Sequence, residues 1–273
     1  MARQATPHNT NPQSAETAGA CAICQRALPP HPGAGRPARY CSNACRQTAH
    51  RRRHHGEKTR DLVTLTQGDA RTLLTALPPH TVDLIITDPP YRFQRGTLFK
   101  TWFADLPDDA WTPLLVELHR VLRPDRHTYL FCDRRTRPIF ETAATHAGFR
   151  VVDALIWNKN RIGLGSGAYR SQYEHILFLT KGRRAGNRRD LANVLTARPP
   201  RGYPTEKPLP ALRTLITQSS NPGELVLDPF CGSGNTGRAA RELGRHALLY
   251  DIDTTYAARR LRNAPTSPKH AAA

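Results

Sequence analysis

A chain of 273 residues can fold as one domain of about 200 residues with a small appendage. Its 40 Lys and Arg against 22 Asp and Glu leave a formal charge of +18, which favours a polyanionic partner such as nucleic acid; an Arg-rich composition without one is the alternative. No apolar run approaches the roughly 18 residues that span a bilayer and no secretion signal opens the chain, so a cytoplasmic protein with no membrane partner is expected.

Residues 1–20 are polar, carry Pro7 and Pro12, and read as a disordered lead-in. Residues 21–55 hold four of the six cysteines. Two residues separate Cys21 from Cys24, three separate Cys41 from Cys45, and 16 lie between the pairs. Two such pairs can place four thiolates around one Zn ion in a closed structural site. The Pro- and Gly-rich stretch from Pro29 to Gly35 has little means of forming a core, so metal would supply the folding energy. Unligated or redox-sensitive cysteines are the other reading, with His31 replacing one thiolate a third. The basic arm that follows, including Arg51, Arg52 and Arg53, suits phosphate contact more than base readout; otherwise it is a solubilising linker.

From about residue 60 to 263 the pattern alternates between strands and helices. Leu62–Thr66 reads as a strand, followed by Gly68-Asp69 and a helix carrying Leu73, Leu74 and Leu77 that Pro78-Pro79 stops. Val82–Thr87 is a buried strand ending at Asp88, and Pro113–Leu122 a helix with one apolar face. Tyr129–Cys132 is the next strand and Pro138–Ala147 the next helix. Val151–Trp157 and Tyr173–Leu179 are further strands. The basic, Gly-containing stretch Lys181–Arg189 marks a surface excursion. A helix over Leu209–Gln218, a strand at Leu225–Leu227, a Gly-rich turn, a helix over Arg238–Leu243 and a strand at Ala247–Tyr250 complete the domain. Residues 264–273 read as a flexible tail. The alternation predicts an α/β fold with a mainly parallel sheet covered on both faces, and ligands beyond the carboxyl ends of its strands.

Two strand ends carry the chemistry. Asp228-Pro229-Phe230-Cys231-Gly232-Ser233-Gly234 precedes a helix; its glycines allow close backbone approach and the helix start offers unpaired N–H groups. Gly232, Gly234 and Gly237 also match dinucleotide spacing, so a nicotinamide or flavin cofactor stays open at this point. Asp251, about 20 residues on, can accept from ribose hydroxyls. The other end is Asp88-Pro89-Pro90-Tyr91. Pro89 and Pro90 offer carbonyl acceptors but no N–H, so Asp88 and the Pro89 carbonyl can accept both hydrogens of an exocyclic base amine. Tyr91 can stack on an extruded base. A rigid turn without chemistry is the plain alternative.

In this order the stretches resemble the DNA amino-methyltransferases that methylate adenine N6 or cytosine N4, in the permuted class whose catalytic motif precedes the cofactor motif. Asp88-Pro89-Pro90-Tyr91 is similar to their catalytic motif, and Asp228–Gly234 to their cofactor motif. Gly68-Asp69 resembles the loop whose acid approaches the cofactor adenine, and Thr205-Glu206-Lys207-Pro208 the segment closing over its methionine end. Trp157-Asn158-Lys159 and Tyr173-Glu174 are similar to elements on the target side. The resemblance covers about Leu62 to Leu261 and implies a Rossmann-like methyltransferase with its sheet in permuted order. It implies catalytic Asp88, Pro89, Pro90 and Tyr91, and S-adenosylmethionine held by Asp69, Asp88, Lys207, Asp228, Phe230, Cys231, Gly232, Ser233, Gly234 and Asp251, with Asp253 a near alternative to the last. Adenine is the preferred target, because cytosine enzymes more often begin this motif with Ser.

The expected partner is double-stranded DNA, with a homodimer and a cognate restriction enzyme as further candidates. Arg183, Arg184, Arg188 and Arg189 are expected to contact its backbone together with the Arg51–Arg53 arm. Phe93, Phe99 and Trp102 either line the base pocket or pack a long loop. Around the appendage, Tyr40-Cys41-Ser42-Asn43-Ala44-Cys45-Arg46 resembles small treble-clef or ribbon-like fingers. An RNA or protein methyltransferase, or a noncatalytic DNA-binding protein, are the competing readings.

Overall fold

The computed structural model describes residues 21, 27–28, 38–43, 45–46, 62–90, 111–163 and 168–263. The chain divides into two compact units, residues 1–60 and 61–273. In the second, the described elements in chain order are β1 (Val63–Gln67), α1 (Ala70–Thr75), β2 (Val82–Thr87), α2 (Trp111–Val121), β3 (Leu122–Cys132), α3 (Arg137–His146) and β4 (Arg150–Asn158). There follow β5 (Tyr173–Lys181), β6 (Val194–Thr196), α4 (Leu209–Ser219), β7 (Leu225–Asp228), α5 (Asn235–Glu242), β8 (His246–Asp251) and α6 (Thr255–Arg262).

The strands form one sheet in the order β1-β8-β7-β2-β3-β5-β4-β6. Strands β1, β8, β7, β2 and β3 run parallel, as does the β4–β6 pair. Strand β5 opposes both of its neighbours, which makes the sheet mixed. The nearly continuous apolar run of β5 reads the same in either direction, so its reversal leaves no trace in the sequence.

Burial explains why the strands read as nearly continuous apolar runs. All six residues of β2 are buried, and successive side chains serve opposite faces. Val82, Ile85, Leu130, Cys132, Leu177 and Leu179 enter the core that α2 and α3 close with Trp111, Leu115 and Phe140. Leu84, Ile86, Tyr129, Phe131 and Ile176 enter the other core, under Leu212, Ile216 and Ala240 of α4 and α5. Each such Leu or Ile side chain contributes roughly 1.5–3 kcal/mol when fully buried.

Strand β3 is longer than the predicted Tyr129–Cys132 because it bulges. Leu122 pairs with Val82, yet His127 already pairs with Leu84. The extra residues include Pro124, which cannot donate to the ladder, and Asp125, whose φ is 54°. The bulge brings Arg123 and Arg126 to buried Asp83, at 2.7 and 3.1 Å. This polar staple sits where the parallel strands begin.

The chain permutation fixes where a crevice opens. From β2 the chain moves outward to β3, whereas from β7 it moves the opposite way to β8. The carboxyl ends of neighbouring β2 and β7 therefore flank a topological switch point, the usual ligand position in such sheets.

Candidate active site

A cavity of about 760 Å³ lies at that switch point. Its walls include Asp88, Pro89 and Pro90 after β2, and Asp228 to Ser233 after β7. Asp69, Lys207 and Asp251 line the same space, so both sequence motifs face one chamber. Gly234 stands at the N-terminus of α5, and Tyr91, Phe93, Phe99 and Trp102 lie outside the described residues.

The turn after β7 is shaped by its glycines. Gly232 and Gly234 have φ of 46° and 76°, in the left-handed region that a side chain disfavours. Gly237 serves packing: a Cβ there would lie 2.5 Å from Leu249. The dinucleotide-like third glycine thus lets α5 approach the sheet. Asp228 accepts from Thr236 Oγ1 at 2.6 Å and from the Phe230 N–H at 3.1 Å. No cation lies within ion-pair distance of it among the described residues, and burial pushes its pKa up to about 7.

Asp251 accepts from the Gly232 N–H at 2.7 Å and the Asp253 N–H at 3.1 Å. Burial also raises its pKa. Each carboxylate oxygen keeps a lone pair for a further donor. Asp253 instead accepts from the Thr255 N–H at 2.9 Å at the start of α6, and hydrogen bonds from the Thr255 side chain and N–H lower its pKa. Asp69 caps α1 through the Arg71 N–H at 2.8 Å and pairs with the Arg71 guanidinium at 2.6 Å, which holds its pKa low.

The catalytic-motif side holds an ion chain that the sequence did not announce. Buried Lys207 donates to Asp88 and lies 3.2 Å from Glu174, whose other oxygen meets Lys159 at 2.7 Å. The Lys207 ammonium also sits 5.1 Å from the Phe131 ring and 5.7 Å from Trp157. Burial opposes its charge, but Asp88 and Glu174 outweigh that and raise its pKa. Lys207 and Lys159 likewise overcome burial to lower that of Glu174. Thr205, just upstream, has φ of 61°, a strained value for a β-branched residue of the kind that clusters at functional sites.

Glu206 belongs to the Thr205–Pro208 stretch that the resemblance put over the methionine end, but it was not singled out there as a site residue. One oxygen accepts from Asn235 at 2.6 Å and Arg260 at 2.7 Å. The other is buried without a hydrogen-bond partner among the described residues, and Glu206 lines the cavity. Its sequence signal was its place in that four-residue stretch.

The basic loop falls elsewhere. Because β5 is antiparallel, its end at Lys181 pairs with Arg126, near the start of β3. The Arg183 N–H reaches Asp125 at 2.8 Å, and Asn187 bonds to the end of α4. Arg183, Arg184, Arg188 and Arg189 thus sit at the sheet edge away from the cavity, roughly 20 Å along β3. Any contact they make with a DNA backbone would therefore fall on a part of the protein remote from the cavity.

In the first unit, the ligand atoms of Cys21, Cys41 and Cys45 all lie within 4.8 Å of one another. Ser42 starts a helical turn by accepting from the Cys45 N–H at 3.2 Å. Cys24 and the Arg51–Arg53 arm lie outside the described residues.

A mixed α/β sheet with acids lining a cavity at its switch point is the arrangement in which such sheets bind ligands. The DNA methylase family model matches residues 82–197 and 184–260, and the chain belongs to this N6/N4 family of DNA methyltransferases. Among its relatives is YubD of Escherichia coli K12, named a methylase, 36% identical over 197 residues, 70% of this chain and 85% of that one. The DNA adenine methyltransferase YhdJ of the same organism is 28% identical over 251 residues, 77% of this chain and 85% of its own. The M1.HpyAVI–SAM complex shares the fold at TM-score 0.58 and 23% identity, covering 73% of this chain and 98% of that one. The cytosine-N4-specific PvuII DNA methyltransferase does so at TM-score 0.63 and 16% identity, covering 76% and 88%.

Proposed function

We propose that this protein transfers a methyl group from S-adenosylmethionine to the exocyclic amine of a DNA base extruded from the duplex, with adenine N6 the preferred target. The observation that carries this reading is the meeting of Asp88 and the Asp228–Gly234 turn on one cavity, in a chain of the DNA methylase family. The initial Asp of the motif and the likeness to an adenine methyltransferase favour adenine over cytosine.

When bound, S-adenosylmethionine supplies an electrophilic methyl group on a sulfonium. Asp251 suits the ribose hydroxyls, and Asp228 and Glu206 suit the cationic methionine end, since each offers a carboxylate that the fold leaves without full compensation. On the base side, Asp88 and the Pro89 carbonyl accept the amine hydrogens, which draws the nitrogen lone pair out of conjugation. Lys207 keeps Asp88 anionic and fixes its orientation, so that it accepts rather than donates. The proton lost by the methylated amine passes to Asp88 or to water, and no covalent enzyme intermediate is required. Tyr91 stacks on the base.

Incubation with methyl-labelled S-adenosylmethionine and separate DNA and RNA pools, followed by nucleoside analysis, tests the reading. N6-methyladenine in DNA is the expected product. N4-methylcytosine would replace the preferred base, and label confined to RNA or protein would overturn the assignment.

We also propose that residues 21–55 bind structural Zn through Cys21, Cys24, Cys41 and Cys45. In support, Cys41 and Cys45 Sγ are 3.6 Å apart. Tetrahedral thiolates about 2.3 Å from Zn would be about 3.8 Å apart. One Zn per reduced chain, lost in Cys41→Ser, is the expected result of metal analysis; metal-free parent protein would reject it.

A further inference from the structure

A second cavity, of about 590 Å³, opens beside the first at the same edge of the sheet. It lies between the end of β3 and the connection from β4 to β5, and shares Glu174 with the first chamber. Its lining brings together Arg134, Arg135, Lys159, Arg170, Tyr169 and Tyr173.

The two acids in this cavity are already occupied. Asp133 accepts from the N–H groups of Arg135 at 3.0 Å and Thr136 at 2.7 Å, where it caps the start of α3. Glu174 is held by Lys159 and Lys207. Among the described residues, neither Arg134 nor Arg170 has a carboxylate within ion-pair distance. Tyr169 is 99% exposed, an unusual position for an aromatic ring. Tyr173 is held on one side by His175, at 5.2 Å between ring centroids. Unneutralised guanidinium groups beside presented aromatic rings are the combination that binds a nucleic-acid strand: cations for phosphate, rings for a base.

We infer that this second cavity holds the nucleotide flanking the one that is methylated, with its phosphodiester on Arg134 and Arg170 and its base against Tyr169. The inference rests on the DNA amino-methyltransferase reading above. Extruding one base strains the backbone on either side, and a clamp on the neighbouring nucleotide offsets part of that cost. Glu174 lines both subsites, with Lys159 on the flank side and Lys207 on the methylation side of its carboxylate.

The test uses the full-length protein with S-adenosylhomocysteine, a fluorescent 30-base-pair duplex for anisotropy, and the labelled methyl-transfer assay. Arg134→Ala/Arg170→Ala is expected to weaken duplex binding by at least about fivefold and to reduce the slope of log Kd against log salt by about two. Its kcat at saturating DNA stays within about threefold of the parent. Tyr169→Ala is expected to raise KM for DNA by roughly fivefold or more, while Tyr169→Phe restores it, because stacking needs the ring and not the hydroxyl. S-adenosylhomocysteine binding, measured calorimetrically, is unchanged throughout and reports folding. Parental Kd and salt slope in the Arg variant would overturn the phosphate clamp while leaving DNA methylation standing. Equal KM for the Ala and Phe variants would overturn the stacking role. A parent protein that methylates RNA or protein but not DNA would sink both this inference and the reading beneath it.

Discussion

At the end of the sheet where the parallel strands begin, buried Asp83 meets Arg123 and Arg126 and also accepts from the Leu225 N–H at 3.0 Å. Glu224 meets Arg126 there at 2.9 Å. At the opposite end Asp228 and Asp251 are as dependent on the fold, yet their donors are neutral N–H and O–H groups. Burial therefore raises both pKa values. Charge at the first end is closed upon itself and serves to join strands. Charge at the second is left open, which raises the energy of the empty cleft and favours a cationic ligand. Other acids of the cleft do meet cations: Arg71 pairs with Asp69, Arg260 with one oxygen of Glu206, and Lys207 with Asp88, the acid assigned to the base.

The largest effect is expected at Asp88. Asp88→Ala should lower kcat by on the order of 10³-fold, because an acceptor for the reacting amine is lost. Affinity for S-adenosylmethionine, measured by calorimetry, should stay within a few-fold. A parental rate of methyl transfer would remove Asp88 from the chemistry and leave the cleft acids as ligand-binding groups only.

Lys207 separates positioning from packing. Lys207→Met keeps the stem but removes the charge, so kcat should drop roughly 10- to 100-fold. Without the neighbouring ammonium, the acid limb of the kcat–pH profile should move to higher pH. Lys207→Arg should restore the limb toward its parental position. If Lys207 serves only as filler between Phe131 and Trp157, the methionine variant will leave the limb unmoved.

Asp228 gives a smaller, proton-linked effect. Its folded pKa of about 7 stands above the ordinary 3.8, so the stabilisation of its protonated form is complete below about pH 4 and is lost as pH rises through about 7. A cationic cofactor favours the ionised form. Binding of S-adenosylmethionine at pH 6 should therefore release about one proton, and affinity should rise about tenfold between pH 6 and 8. Calorimetry in buffers of different ionisation enthalpy reads the proton directly. Zero release by the parent, or equal release by Asp228→Asn, would defeat the assignment.

How much of this was legible in the sequence differs by element. Strand β2 and the turn after β7 were clear, because an apolar run stopped by Asp-Pro-Pro and a Gly-rich strand-to-helix junction each have few physical alternatives. Strand β6 was not, since Val194–Thr196 lacks periodicity and owes its place to pairing with β4. The Asp88–Lys207 pair spans 119 positions, and only the permuted sheet order brings it together. Of the residues lining the second cavity, Lys159, Tyr173 and Glu174 lie in stretches that the resemblance put on the target side, but Arg134, Arg135 and Arg170 were passed over because they are scattered, whereas Lys181–Arg189 forms a visible cluster. Local charge density drew attention to the end of β5 remote from the cavity, since no residue pattern encodes that strand's direction.

That remote loop supplies the smallest expected effect. Arg188 in the far loop is exposed and already paired with Asp190 at 2.6 Å. An exposed pair of this kind contributes about 0–1 kcal/mol to stability, so Arg188→Ala should leave the fold intact. Duplex bound with a base in the cleft would lie against the edge carrying Arg134 and Arg170. Arg188→Ala should then change duplex Kd by less than about twofold and leave the salt slope unaltered, while the Arg134→Ala/Arg170→Ala variant changes both. The long-range field of a chain at +18 still falls slightly with each charge removed. Screening confines that residue of effect to low ionic strength, since the Debye length is about 8 Å at 0.15 M salt and the loop is roughly 20 Å along the strand from the cleft. A loss in Arg188→Ala that persists at 0.15 M salt and lowers the slope by one would mean that DNA touches both ends of the sheet, and the division between a closed end and an open end would no longer describe how this protein meets its substrate.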